Sequence, residues 1–301
     1  MHAPRSAYLW MLMGAASFSV MSFITHSLRD DVSWQMIAIV RTAIALVLTI
    51  SMARLAGASL VLWRPGTLWI RSLAGSVALL ANFFSMTHYP ISEVLALSNM
   101  FPLWVAVLSW PVLGERPQLD VWIAAALGVA GVYVLQEPAQ SQDVLPVFTA
   151  VVASLASAVA LLGLHHLQGV DARAVVAHFS GVSLVCSLLA AVALPAASMA
   201  TSQSPTLSLS LLALGLLVVG LTGTAGQLFL TKAFAAGPPA QVSVVGLSQV
   251  GFSMLLETVF PPHRAFTPQA LLGLALVVAP TAWVLVRRRQ PSAPTEPEAD
   301  L

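Results

Sequence analysis

Apolar residues run along this chain in blocks of about twenty, separated by short stretches rich in charge, proline or glycine. With those breaks as boundaries, the pattern predicts ten helices, at residues 8–28, 34–54, 69–87, 91–110, 118–136, 145–165, 172–194, 207–234, 239–260 and 267–286. Each block approaches the roughly 20 residues a helix needs to cross the hydrocarbon core. A transmembrane barrel would instead show segments of about ten residues alternating apolar and polar, and runs such as "LVCSLLAAVAL" do not alternate. The first block follows Arg5 and resembles a signal peptide, but its apolar run exceeds the usual core of about 7–15 residues, so it reads as a retained first helix. The segments 1–7 and 288–301 read as cytoplasmic ends. The Pro-rich, acidic tail "QPSAPTEPEADL" is expected to be disordered.

Composition supports a membrane protein. The 301 residues are 58% hydrophobic and 8% charged, against about 25% charged in an ordinary soluble domain. Mean hydropathy is +0.86. The net charge of +1 gives no ground for a nucleic-acid partner, so the expected surroundings are the bilayer and a small-molecule solute. The single cysteine, Cys186, excludes an intrachain disulfide and a thiolate metal cluster.

Lys and Arg accumulate in cytoplasmic loops. A cytoplasmic N-terminus puts ten of them inside (Arg5, Arg54, Arg64, Arg71, Arg116, Arg173, Lys232, Arg287, Arg288 and Arg289) and two outside (Arg29 and Arg264). The expected location is therefore the cytoplasmic (inner) membrane with both termini cytoplasmic. Trp34, Trp63, Trp69 and Trp110 fall near predicted helix ends and read as headgroup anchors.

The chain also repeats itself. A shift of 148 residues lays Pro90 on Pro238, Glu93 on Gln241, Met100 on Ser248 and Gly75 on Gly223, and a shift of 137 lays Ser17 on Ser154, Trp34 on Asp171 and Arg41 on His178. The units expected are 8–136 and 145–287, joined by a linker at 137–144. Each holds an odd number of spans, so the second enters from the opposite side, as in secondary transporters with a solute site at the repeat interface.

On "IVRTAIAL", "SNMFPLWVAVLSWPVLGERPQ", "ALGVAGVYVL" and "GQLFLTKAFAAGPPAQVS", taken in order and spacing, the sequence resembles the drug/metabolite transporter superfamily, in its ten-helix form with two EamA-type domains. Where the first unit has "LGERP" the second has "FPPHRAF", so no role is carried to that loop. The resemblance implies an all-α membrane protein of two inverted five-helix repeats, exporting or exchanging a small organic metabolite through a central cavity.

Glu93, Leu97, Met100 and Trp104 would share one face of an unbroken fourth helix, and Gln241, Val245, Ser248 and Phe252 one face of the ninth. Glu93 reads either as a gate or proton-binding carboxylate or as an acid stabilising a helix start. Arg41 is too deep for comfortable snorkelling. It reads either as an anchor for an anionic or zwitterionic solute or as a structural cation paired with Glu93 or backbone carbonyls. His178 is either a titrating group or a histidine satisfied by a carbonyl. Asn82 and Gln227 are candidate cavity amides. The glycines of "LGVAG" and "LGLAL" read as sites of close helix contact or dimerisation.

No H-E-x-x-H, G-x-S-x-G or Walker loop occurs, and adjacent His165 and His166 lack metal-site spacing, so no enzyme, metal or cofactor is expected. The leading expectation is transport of an amino acid or similar amphipathic carboxylate. The alternative is a non-transporting scaffold or receptor. Coupling to a proton or a counter-substrate and assembly as a homodimer stay open.

Overall fold

The computed structural model describes residues 5–63, 65–88, 97–114, 116–136, 144–194, 207–260 and 267–286. Among them the regular structure is helical: α1 (Arg5–Leu28), α2 (Trp34–Leu55), α3 (Gly66–His88), α4 (Phe101–Leu113), α5 (Leu119–Gln136), α6 (Val144–His165), α7 (Ala172–Ala193), α8 (Leu209–Ala236), α9 (Pro239–Gly246), α10 (Ser248–Val259) and α11 (Pro268–Val286). Seven described stretches are long and apolar enough to cross a membrane, counting Pro239–Val259 as one, and Phe101–Leu113, Leu119–Val134 and Pro268–Pro280 are shorter apolar helices. Large apolar side chains such as Val47, Leu189, Leu211 and Trp283 are exposed on the outside, as expected of surface that faces lipid.

Local chemistry fixes several boundaries. The Ser33 hydroxyl accepts the Met36 N–H at 3.4 Å and opens α2, while the Asp171 carboxylate accepts the Arg173 N–H at 2.7 Å and opens α7. Gly114, at φ 72°, ends α4 in the left-handed conformation.

The fourth and ninth spans depart from the expected continuous helices. Leu97–Ser98 is helical, Asn99–Met100 turns, and α4 then starts at Phe101. Pro102 has no N–H to give the preceding turn, which accounts for the restart there. The ninth span breaks at Leu247, between Gly246 and Ser248, a small-residue pair of the kind that kinks helices. Across these breaks the regular 100° spacing does not hold. The expected shared faces through Met100–Trp104 and Gln241–Phe252 are therefore interrupted.

The most extensive contacts pair α1 with α8, α3 with α6, α5 with α11 and α2 with α7. Small residues permit the close approaches. A Cβ on Gly131 of α5 would stand 2.8 Å from the Gly273 carbonyl and 2.7 Å from the Leu276 Cβ of α11. The "LGVAG" and "LGLAL" glycines thus meet within one chain. Several hydroxyls are satisfied by their own preceding turn, as Thr42 donates to the Ala38 carbonyl at 2.7 Å and Thr49 to the Ala45 carbonyl at 2.6 Å. Others link helices, such as Ser76 to Ser183 at 2.8 Å and Ser85 to Thr149 at 2.9 Å.

Two side chains sit elsewhere than expected. Trp34 is buried in a core cluster with Ile37, Ala38, Phe83 and Phe179 rather than anchored at a headgroup surface, its ring edge-on to Phe84 at 6.5 Å. Arg71, counted among the loop cations, is inside the bundle at 2% exposure.

Candidate functional site

The polar centre of the bundle is organised by α8. Gly223 and Gln227 are four residues apart, so they lie on one face, about 6 Å apart along the axis. Each meets an arginine from a different helix.

Arg41 comes from α2 and is 8% exposed. Its side chain lies against Gly223, where an added Cβ would stand 2.8 Å from Nε. Among the described residues its guanidinium makes no hydrogen bond or ion pair; the surface pair Arg29–Asp30, at 3.6 Å, is elsewhere. The Glu93 partner considered above lies outside the described residues.

Arg71 comes from α3. Its Nη2 donates to Gln227 Oε1 at 3.0 Å, and its guanidinium carbon sits 4.0 Å from the centroid of the Phe179 ring of α7. A Cβ on Gly75 would come within 2.7 Å of Nη1, and one on Gly163 of α6 within 3.0 Å of the Arg71 Cβ. Bare backbone at both positions makes room for this side chain. Its Nε and Nη1 are buried with no hydrogen-bond partner among the described residues. Two guanidiniums thus approach one face of one helix, with no carboxylate among the described residues paired to either. Unpaired buried charge is costly, so this arrangement is suited to receiving an anion.

The sequence missed Arg71 as a site residue. It lies five residues past the start of α3, next to a loop with Arg64, and so resembles a loop charge. The available signal was Gly75 one turn later, with the intramembrane amide Gln227.

The other candidates are distributed around this centre. His178 bonds Ser72 through Nδ1 at 2.8 Å and the Leu62 carbonyl through Nε2 at 3.2 Å, with its ring edge-on to Trp69 at 4.7 Å. The carbonyl can only accept, so in the neutral ring Nε2 carries the proton and Nδ1 accepts from the hydroxyl. Asn82 donates to the Ala78 carbonyl at 2.9 Å and accepts from Ser98 at 2.7 Å, tying α3 to the break before α4. Trp104 donates through Nε1 to Ser154 of α6 at 3.0 Å. Met100 and Ser248 flank the two breaks, and the Ser248 hydroxyl is buried with no partner. Phe252 is half-buried on α10. Gln241 accepts from the Tyr8 hydroxyl and lines a separate cavity of ≈ 280 Å³ with Ser109, Arg116, Gln118 and Pro238. The structure therefore sets Arg41 against Gly223 one turn of α8 from Gln227, while His178 is bonded to Ser72 of α3. It sets Met100, Trp104, Ser248 and Phe252 along the broken spans and Gln241 in a separate cavity beside residues 116–118 and Pro238.

His165 contacts the Phe234 carbonyl at 3.3 Å and Lys232 sits 4.5 Å over the Trp10 ring, so both are engaged within the protein. Among the described residues no cluster of three or more His, Cys, Asp or Glu could hold a metal.

The described residues thus form a multi-pass bundle of apolar helices with two broken spans and two buried arginines. Residues 5–136 match the EamA-like transporter family. The pseudopaline exporter CntI of Pseudomonas aeruginosa is 28% identical over 77% of this chain and 79% of its own length. An uncharacterized transporter of Helicobacter pylori is 23% identical over 69% of each chain. A crystal structure 20% identical in sequence superposes with a TM-score of 0.80, over 93% of this chain and 97% of that one, and shares its fold. By these likenesses the chain is a membrane transporter rather than an enzyme, and it resembles the drug/metabolite type.

Proposed function

We propose that this protein is a secondary carrier that exports or exchanges a small organic metabolite bearing a carboxylate, an amino acid or similar amphipathic acid. Two five-helix units, 8–136 and 145–287, alternate access around the α8 centre. The observation that carries this reading is the buried Arg41 guanidinium, seated on Gly223 and unpaired among the described residues. A guanidinium keeps its charge when buried and favours carboxylate geometry. The Phe179 ring, stacked on the Arg71 guanidinium, marks an apolar side to this centre that suits the rest of an amphipathic solute. Export as the direction is supported by the name of the Pseudomonas aeruginosa relative, and cytoplasmic termini in the inner membrane by the arginine distribution.

The test is flux in proteoliposomes loaded with labelled amino acids and organic acids. Carboxylate solutes should move in the parent and not in a folded Arg41→Gln protein. In intact spheroplasts, external protease should leave the 288–301 tail uncut. A parent that binds such solutes and moves none would be a scaffold or receptor instead. Equal flux by parent and variant would remove Arg41 from the site.

A further inference from the structure

Arg71 is buried at 2% exposure, yet among the described residues only Nη2 is hydrogen-bonded, and Nε and Nη1 have no partner. Such a group ordinarily has a counter-ion or a full set of acceptors, because each buried donor left unmade is expensive. The surroundings hold the side chain firmly. Gly75 and Gly163 clear space for it, the Phe179 ring covers one face and Gln227 fixes the fork. Among the described residues the surroundings offer no negative charge. Arg41 has the same deficit and reaches the same face of α8 about one turn away.

We propose that Arg71 is a second anion-binding residue and that the transported solute is a dianion, with one carboxylate held at Arg41 and the other at Arg71. This rests on the carboxylate-carrier reading above and narrows its substrate class. A monoacid satisfies one guanidinium and leaves the other buried and uncompensated, whereas a diacid compensates both. Selectivity then arises from the cost of the empty partner as much as from the added contact. Gln227 is a positioning residue that orients the Arg71 fork without carrying charge.

The experiment compares diacids with their half-amides, succinate against succinamate and glutarate against glutaramate. It follows thermal stabilisation of the detergent-purified protein at fixed pH and ionic strength. The parent should half-saturate at about tenfold lower concentration with each diacid, the scale of one charge-assisted hydrogen-bonded contact. Arg71→Gln should abolish that gap. Gln227→Leu, which keeps the charge and removes only the 3.0 Å bond, should narrow it, and this serves as the test if Arg71→Gln does not fold. Equal affinity of the parent for both series overturns the dianion inference while leaving a monocarboxylate carrier intact. A gap that persists in both variants overturns the role of Arg71. If neither series binds and no carboxylate crosses proteoliposomes, the carrier reading fails and the inference fails with it.

Discussion

At the scale of the residue, the absence of a side chain at Gly223 is as important as the guanidinium it receives. A methyl group there would meet Arg41 Nε at 2.8 Å and Met21 Sδ at 3.1 Å, both on flexible side chains that can move. Gly223→Ala should therefore fold, helped by the better helix propensity of alanine. It should nonetheless bind carboxylate solutes about tenfold more weakly, because the group that moves is the one that makes the charge-assisted contact. Thermal stabilisation with a solute series checks this, and an unchanged affinity would mean that Arg41 does not bind from this position. Arg41 was legible in the sequence because seven residues separate it from the start of α2 and apolar residues flank it on both sides. Arg71 was not legible, since five residues from a helix start is within reach of the headgroups for a long cation. Only the packing of α3 against α6 and α7, with Gln227 of α8 within hydrogen-bond reach, turns it inward. Trp34 misled for a related reason. A tryptophan at a helix end suits both a headgroup layer and a core, and the choice depends on Phe83, Phe84 and Phe179 from other helices.

At the scale of the element, the spans were read from hydropathy alone, and their placement follows the apolar blocks closely. The breaks were harder to see. Pro102 marked the one before α4, whereas Gly246 and Ser248 around the turn at Leu247 are a weaker signal, since small residues also occur inside unbroken spans. Gly128 of α5 faces that turn, where a Cβ would come within 2.4 Å of the Leu247 Cδ1. Three residues further along the same helix, Gly131 faces backbone and Cβ atoms of α11 at 2.7–2.9 Å. The two glycines should respond differently to the same substitution. A leucine methyl can swing aside, so Gly128→Ala should leave the unfolding temperature nearly unchanged. Gly131→Ala must push two helix axes apart, and overpacking of that kind costs about 1–3 kcal/mol. Thermal unfolding of the two variants side by side is the measurement. Equal effects would show that the α5–α11 contact yields as easily as a side chain.

At the scale of the whole molecule, the contact pattern concerns how the two proposed units depend on each other. The pairs α1 with α8, α3 with α6, α5 with α11 and α2 with α7 each join a helix of one unit to a helix of the other. Exchanging every helix for its counterpart in the other repeat leaves that set of pairs unchanged, as a pseudo-twofold relation between inverted units requires. The sequence proposes such a repeat, through Pro90 with Pro238 and Gly75 with Gly223. The interlocking was not, because hydropathy carries no information about which apolar faces meet. Its consequence is that neither half should be stable as a folded monomer. Expressed alone, residues 1–140 would expose to lipid the faces that Gly226 and Leu230 of α8 cover on α1 and that Leu276 of α11 covers on α5. That fragment should run as a self-associated species or be degraded, whereas co-expression with residues 141–301 should give a 1:1 complex that recovers binding and flux. Size-exclusion chromatography with mass determination decides between these outcomes. A monomeric 1–140 fragment that unfolds at the temperature of the full chain would place the stability within each unit. The carrier would then be two independent bundles in loose contact, and an α8 centre assembled from α2, α3 and α7 could not be rigid enough to hold two guanidiniums in fixed register.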